Sequence, residues 1–158
     1  MADRQTLIDQ YADGYDELCA ALAGHTDDEL DRRPAPGAWT AREIVHHLAD
    51  SETNSYVRLR KLLVEGDGYT VQPYDQDAYA AEPKLGYDRP ITSSLAVLAA
   101  VRRSSTELLR ALAPEAFELA GTHPEETGPY SVDTWLGIYA GHAHDHAEQI
   151  RRALRGEP

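Results

Sequence analysis

The chain has 158 residues, 42% of them hydrophobic and 27% charged, and carries a formal net charge of −12. That length suits one domain and is too short for two comfortable cores, and the composition excludes a disordered chain. The 27 Asp and Glu against 15 Lys and Arg repel phosphate backbones at long range, which disfavours nucleic acid as a partner.

No apolar run reaches the roughly 18 residues that would span a bilayer, so no membrane-crossing helix is expected. Residues Met1 to Gln5 lead into a polar-apolar pattern without the apolar segment of a signal peptide. The lone cysteine, Cys19, cannot form an intramolecular disulfide and suits a reducing cytoplasm, the expected location.

Four helices are expected within a single domain over residues 1–158, and none of the intervening segments reads as a strand. The first spans Asp3 to Ala23, where Leu7, Ile8, Tyr11, Tyr15, Leu18, Cys19 and Leu22 recur at three- and four-residue steps. Thr26-Asp27-Asp28-Glu29 has the form of a capping box and opens a short helical turn. Pro34, Pro36 and Gly37 then break the chain, and Thr40-Ala41-Arg42-Glu43 supplies a second box. Trp39 and Ile44 flank that cap in the positions of a hydrophobic staple, and the helix continues to Val64, ended by Gly66 and Gly68.

Residues 66 to 90 form a long irregular crossing rich in Gly, Asp, Pro and Tyr, a length that is uncommon unless functional. The third helix runs from Ile91 to Leu112, before Pro114, and the fourth from the Ser131 cap to Leu154 with Asp133 in its first turn. Four amphipathic helices with one long crossover describe an all-α four-helix bundle.

Three of the seven histidines lie in the fourth helix. At about 100° per residue, His142 and His146 share a face with Trp135, Tyr139, Gln149 and Ile150, while His144 points away. A His-x-x-x-His pair on an inward face lets one helix give two imidazoles to one metal ion, although buried histidines without a metal share that spacing. In the second helix His47 lies about 60° from the edge of the apolar arc, so it can reach the interior, whereas His46 falls on the solvent side. Three histidines from two helices would leave a fourth coordination position open. Asp50, Glu52, Asp145 and Gln149 stand where they could take the second N–H of these imidazoles, or serve as ordinary surface groups. Trp39 and Trp135 read as core anchors, Cys19 as a small buried residue, His25 and His123 as solvated, and the crossover tyrosines as loop packing or a pocket mouth.

With these residues in place, the chain resembles the DinB/YfiT-like superfamily of metal-binding four-helix bundles. Trp39-Thr40-Ala41-Arg42-Glu43-Ile44-Val45-His46-His47-Leu48-Ala49-Asp50-Ser51-Glu52 resembles its W-[ST]-x-x-E-x-x-x-H-L-x-D-x-E signature. Arg58-Leu59-Arg60 follows, and His142-Ala143-His144-Asp145-His146-Ala147-Glu148-Gln149-Ile150 resembles H-x-x-x-H-x-x-Q-I. The resemblance implies an up-down-down-up bundle, often a homodimer, holding one divalent metal on three histidines, here His47, His142 and His146. Zinc suits three imidazoles best; nickel, iron, cobalt and manganese can occupy such sites.

Characterised relatives imply a metal-dependent enzyme, in first place a low-molecular-weight thiol S-transferase of the mycothiol or bacillithiol type, with that thiol as cosubstrate. The alternatives are a metal-dependent hydrolase, with Asp50, Glu52 or Asp145 as general base, and a non-catalytic, stress-related metal- or ligand-binding bundle. Small molecules are the partners each reading expects.

Overall fold

A computed structural model describes residues 3–125 and 127–157. Helix α1 covers Arg4–Leu22, α2 Ala41–Glu65, α3 Gln76–Ala81, α4 Thr92–Ala111 and α5 Val132–Arg155. The long helices α1, α2, α4 and α5 are the four expected ones, and α3 is a short helix inside the crossover. The caps are those the sequence announces. Thr40 Oγ1 accepts from Glu43 N and Glu43 returns the bond to Thr40 N, while Ser131 accepts from Thr134 N. Gly66 and Gly156 end α2 and α5 with φ of 55° and 77°, conformations that favour glycine.

Cross-helix bonds define the topology. Arg4–Asp133, Gln10–His144 and Glu17–Arg151 advance together, so α1 and α5 run parallel. Ser94, Arg102 and Ser104 pair with His46, Glu52 and Arg60, so α2 and α4 are parallel as well. Trp135 meets Ser55 and His146 meets His47, which sets α5 antiparallel to α2. The bundle is therefore up-down-down-up, with α1 packed on α4 and α5 and diagonal to α2. Two adjacent parallel helices need a connection as long as the bundle, since α2 alone rises about 37 Å at 1.5 Å per residue. The 66–90 crossing meets that need.

One expectation fails here. Between α4 and α5 lie two short antiparallel strands, β1 (Ala120–Thr122) and β2 (Pro129–Ser131). The crossover docks on β1 through Val71 N to Thr122 O and Thr122 N to Tyr69 O, at 2.8 and 2.9 Å. A side chain at Gly121 would put its Cβ 2.3 Å from Tyr69 O, so the close approach requires glycine. Strands of three residues show too little alternation to be read from sequence.

The interior falls into two apolar clusters. One, toward the start of α1, gathers Ile8, Tyr11, Leu59, Leu62, Leu109, Trp135 and Leu136; the other gathers Leu18, Ile44, Leu48, Leu98, Ala147 and Ile150. Between them each long helix contributes small or polar residues: Gly14, Glu52 with Ser55, Arg102 with Ser105, and His142. This polar layer is the level at which the histidines meet. No helix among the described residues is long and apolar enough to cross a membrane.

Candidate metal centre

His47 on α2 and His142 and His146 on α5 converge from antiparallel helices, each offering one ring nitrogen within 4.8 Å of the other two. The Nε2 atoms of His47 and His146 face each other at 3.2 Å, and the rings of His142 and His146 stand perpendicular with centroids 4.7 Å apart. Burial, and then the neighbouring imidazoles, hold His47 down at about 3 and His146 at about 4, so both are neutral near pH 7 with a lone pair to give.

Each ring is steered from behind. His146 Nδ1 donates to Gln149 Oε1 at 2.7 Å, which leaves Nε2 as the free acceptor. His142 Nδ1 is buried without a hydrogen-bond partner, and Glu52 Oε1 stands 3.5 Å from it. His47 stacks on Tyr74, whose hydroxyl lies 3.4 Å from Nδ1, and packs against Trp39 with ring centroids 4.8 Å apart. Burial pushes the Tyr74 phenol up to about 12, keeping it neutral. An acceptor bonded behind His146, a carboxylate close to His142 and the facing Nε2 atoms of His47 and His146 fit the donor set of an imidazole-bound divalent cation.

The remaining expected neighbours separate. Glu52 is fully buried; burial opposes its charge, but the Arg102 guanidinium, His142 and the Tyr11 hydroxyl outweigh that and hold its carboxyl below the ordinary range. Asp50 reaches no imidazole and instead accepts from the Tyr87 hydroxyl at 2.8 Å. Asp145 is exposed, and its charge acts on His146 through space.

A model of the DinB superfamily matches residues 10–150. The chain belongs to the DinB superfamily. The YfiT protein of Bacillus subtilis, named as a candidate metal-dependent hydrolase, is 36% identical over 139 residues, which cover 88% of this chain and 77% of that protein. A similarly named protein of Oceanobacillus iheyensis is 37% identical over 124 residues, 78% of this chain and 70% of that one. The solved YfiT structure, described as an unusual four-helix bundle, aligns with a TM-score of 0.86 and 31% identity over 98% of this chain and 89% of that one.

Three features of this DinB-superfamily member depart from the sequence expectations. His46 is buried, 8% exposed, because the crossover and the start of α4 close over it: Nε2 donates to Arg89 O at 2.9 Å and Nδ1 accepts from Ser94 at 2.8 Å. Trp39 packs, half-buried, on the apolar cluster around Ile44 and Leu48 and, beyond its expected anchoring role, lies against His47 at the site's edge, whereas Trp135 is the core anchor expected, donating from Nε1 to Ser55 O. Arg102, which composition does not set apart from Arg103, is 1% exposed and bonded to Glu52. Its only sequence signal is that it falls between Leu98 and Leu109 on the buried face of its helix.

Proposed function

We propose that this protein is a metal-dependent enzyme that activates a low-molecular-weight thiol, of the mycothiol or bacillithiol type, and transfers it to an electrophilic small molecule. His47, His142 and His146 are the ligands in this reading, and zinc is the ion that three imidazoles and one open position suit best. A divalent ion there supplies Lewis acidity, lowering the pKa of a thiol or a water in its open position.

The observation that carries the choice is the state of the nearby carboxylates. Glu52 is taken by Arg102 and Tyr11, and Asp50 by Tyr87. Glu52 is not free to take a proton from water, Asp50 has one oxygen held by Tyr87, and Asp145 is exposed and acts on His146 only through space, whereas a thiol, with an ordinary pKa of about 8.5, needs no protein base once a cation has lowered it. Gln149 and Glu52 orient two of the imidazoles, and Trp39 and Tyr74 shield His47 from solvent.

The names of the relatives favour a second reading, metal-dependent hydrolysis. In both, the partners are small molecules, the protein acts in the cytoplasm, and it works as a homodimer without nucleic acid. The deciding experiment incubates zinc-loaded protein with mycothiol- and bacillithiol-type thiols and a haloalkyl electrophile, beside ester and amide substrates. Thiol-dependent conjugation that His47→Ala abolishes supports transfer. Thiol-independent cleavage supports hydrolysis, and turnover of neither identifies a metal-binding bundle without catalysis.

A further inference from the structure

The most unusual group outside the histidine cluster is Arg102, a charged side chain between two apolar clusters on the one long helix besides α1 that supplies no histidine to the site. We infer that Arg102 is a positioning residue that fixes, through Glu52, which nitrogen His142 presents to the metal; this rests on the three-histidine reading above.

The guanidinium is clamped by main chain from two other helices. Nε and Nη2 donate to Tyr11 O at 3.0 and 2.6 Å, and Nη2 also reaches Tyr139 O at 3.4 Å. Nη1 is thereby aimed at Glu52 Oε1, 2.5 Å away. The other carboxylate oxygen accepts from the Tyr11 hydroxyl at 3.2 Å, and the Ser55 hydroxyl, which donates to Glu52 O at 2.8 Å, lies 3.4 Å from it. Glu52 therefore cannot turn, and Oε1 stands between Arg102 on one side and His142 Nδ1, at 3.5 Å, on the other. An ionised carboxylate only accepts hydrogen bonds, so it favours the ring form with its proton on Nδ1 and leaves the lone pair on Nε2 for a metal shared with His47 and His146.

The slot for the guanidinium is built by omission. A Cβ on Gly14 would lie 2.7 Å from Arg102 Nη2 and 2.9 Å from the Ala143 Cβ. A lysine could neutralise Glu52 but could not fork onto Tyr11 O while holding a fixed direction toward the carboxylate. An apolar pair of the same volume would serve packing alone at least as well, so a buried ion pair at the level of His142 calls for a role beyond packing.

The test is a cycle on the full chain. Zinc affinity is measured by chelator competition for wild type, Arg102→Met, Glu52→Met and the double variant, whose apolar pair removes both charges together. Arg102→Lys replaces Arg102→Met if the latter does not fold. Each single substitution is expected to weaken zinc binding by about 10- to 100-fold, the usual effect of losing an outer partner of a ligand, and the double variant by no more than Glu52→Met alone. Ring 15N shifts of metal-free protein are expected to place the His142 proton on Nδ1 in wild type and to show that preference lost in the double variant. Wild-type zinc affinity in the Arg102 variant, or losses that multiply in the double variant, overturn the inference. A wild type that takes up no zinc overturns the metal reading instead; the 15N comparison then decides alone, and an unchanged His142 proton position in the double variant overturns the positioning role.

Discussion

The Tyr87 hydroxyl donates to Asp50 at 2.8 Å, fastening the crossover to α2 three residues beyond His47. The bond spans the long connection that two parallel neighbouring helices require, and it occupies a carboxylate that would otherwise stand beside the site. Tyr87 also packs on His46, with ring centroids 5.5 Å apart, so one side chain spans the turn of α2 from His46 to Asp50. Tyr87→Phe keeps the ring and deletes the bond. We expect a loss of about 1–2 kcal/mol in urea unfolding, the range for a half-buried charged acceptor losing its donor, with faster hydrogen exchange in residues 83–90.

The adjacent histidines 46 and 47 have opposite roles. His46 bridges Ser94 and the Arg89 carbonyl and offers nothing to the cluster. His46→Ala is expected to cost about 2–3 kcal/mol, from two lost hydrogen bonds and a cavity, while zinc uptake by the folded protein stays at the wild-type level. His47→Ala is expected to show the reverse balance, with zinc uptake lost. Calorimetric titration and thermal melts on the two variants check both halves.

The histidines also make the metal-free fold acid-sensitive. His47 and His146 are held at about 3 and about 4, below the roughly 6.5 of a free imidazole. As the pH falls from 6.5 toward 4 the unfolded chain binds protons that the fold refuses, so stability falls by up to about 1.4 kcal/mol per pH unit for each ring. Above pH 6.5 both rings are neutral in both states and their contribution to the slope vanishes. Urea midpoints of metal-stripped protein at pH 7, 6 and 5 should descend, and His47→Gln should make the descent shallower. A flat profile from pH 7 to 5 would contradict the assignment.

Gly14 lies inside a helix, where alanine is ordinarily better by about 1 kcal/mol. Here the added methyl would meet Arg102 and Ala143. Gly14→Ala is therefore expected to lower the melting temperature and to weaken zinc binding by displacing the guanidinium. A variant more stable than wild type would show that the slot can widen freely.

Sequence reading succeeded where the cause is local. The capping boxes at Thr26 and Thr40, the Ser131 cap and the helical periodicity are decided within a few residues, and the shared face of His142 and His146 follows from helix geometry alone. His46 escaped because the residues that bury it lie more than 40 positions away: Tyr87 and Arg89 on a crossover whose path no local pattern encodes, and Ser94 at the start of α4. Arg102 escaped for a related reason: an arginine is ordinarily exposed, and its burial depends on a glycine in α1 and a carboxylate in α2 that sequence does not place beside it.

Elemental analysis of the untagged protein, beside His47→Ala, His142→Ala, His146→Ala and a His144→Ala control, tests the central claim most directly. His144 turns toward α1 and bonds Gln10 O and Asp13, so its loss leaves the cluster intact. The account predicts about one divalent transition metal per chain in wild type and in His144→Ala, and none in the other three. A wild type that neither carries nor takes up zinc or nickel, or metal retained when any of the three histidines is removed, would contradict it.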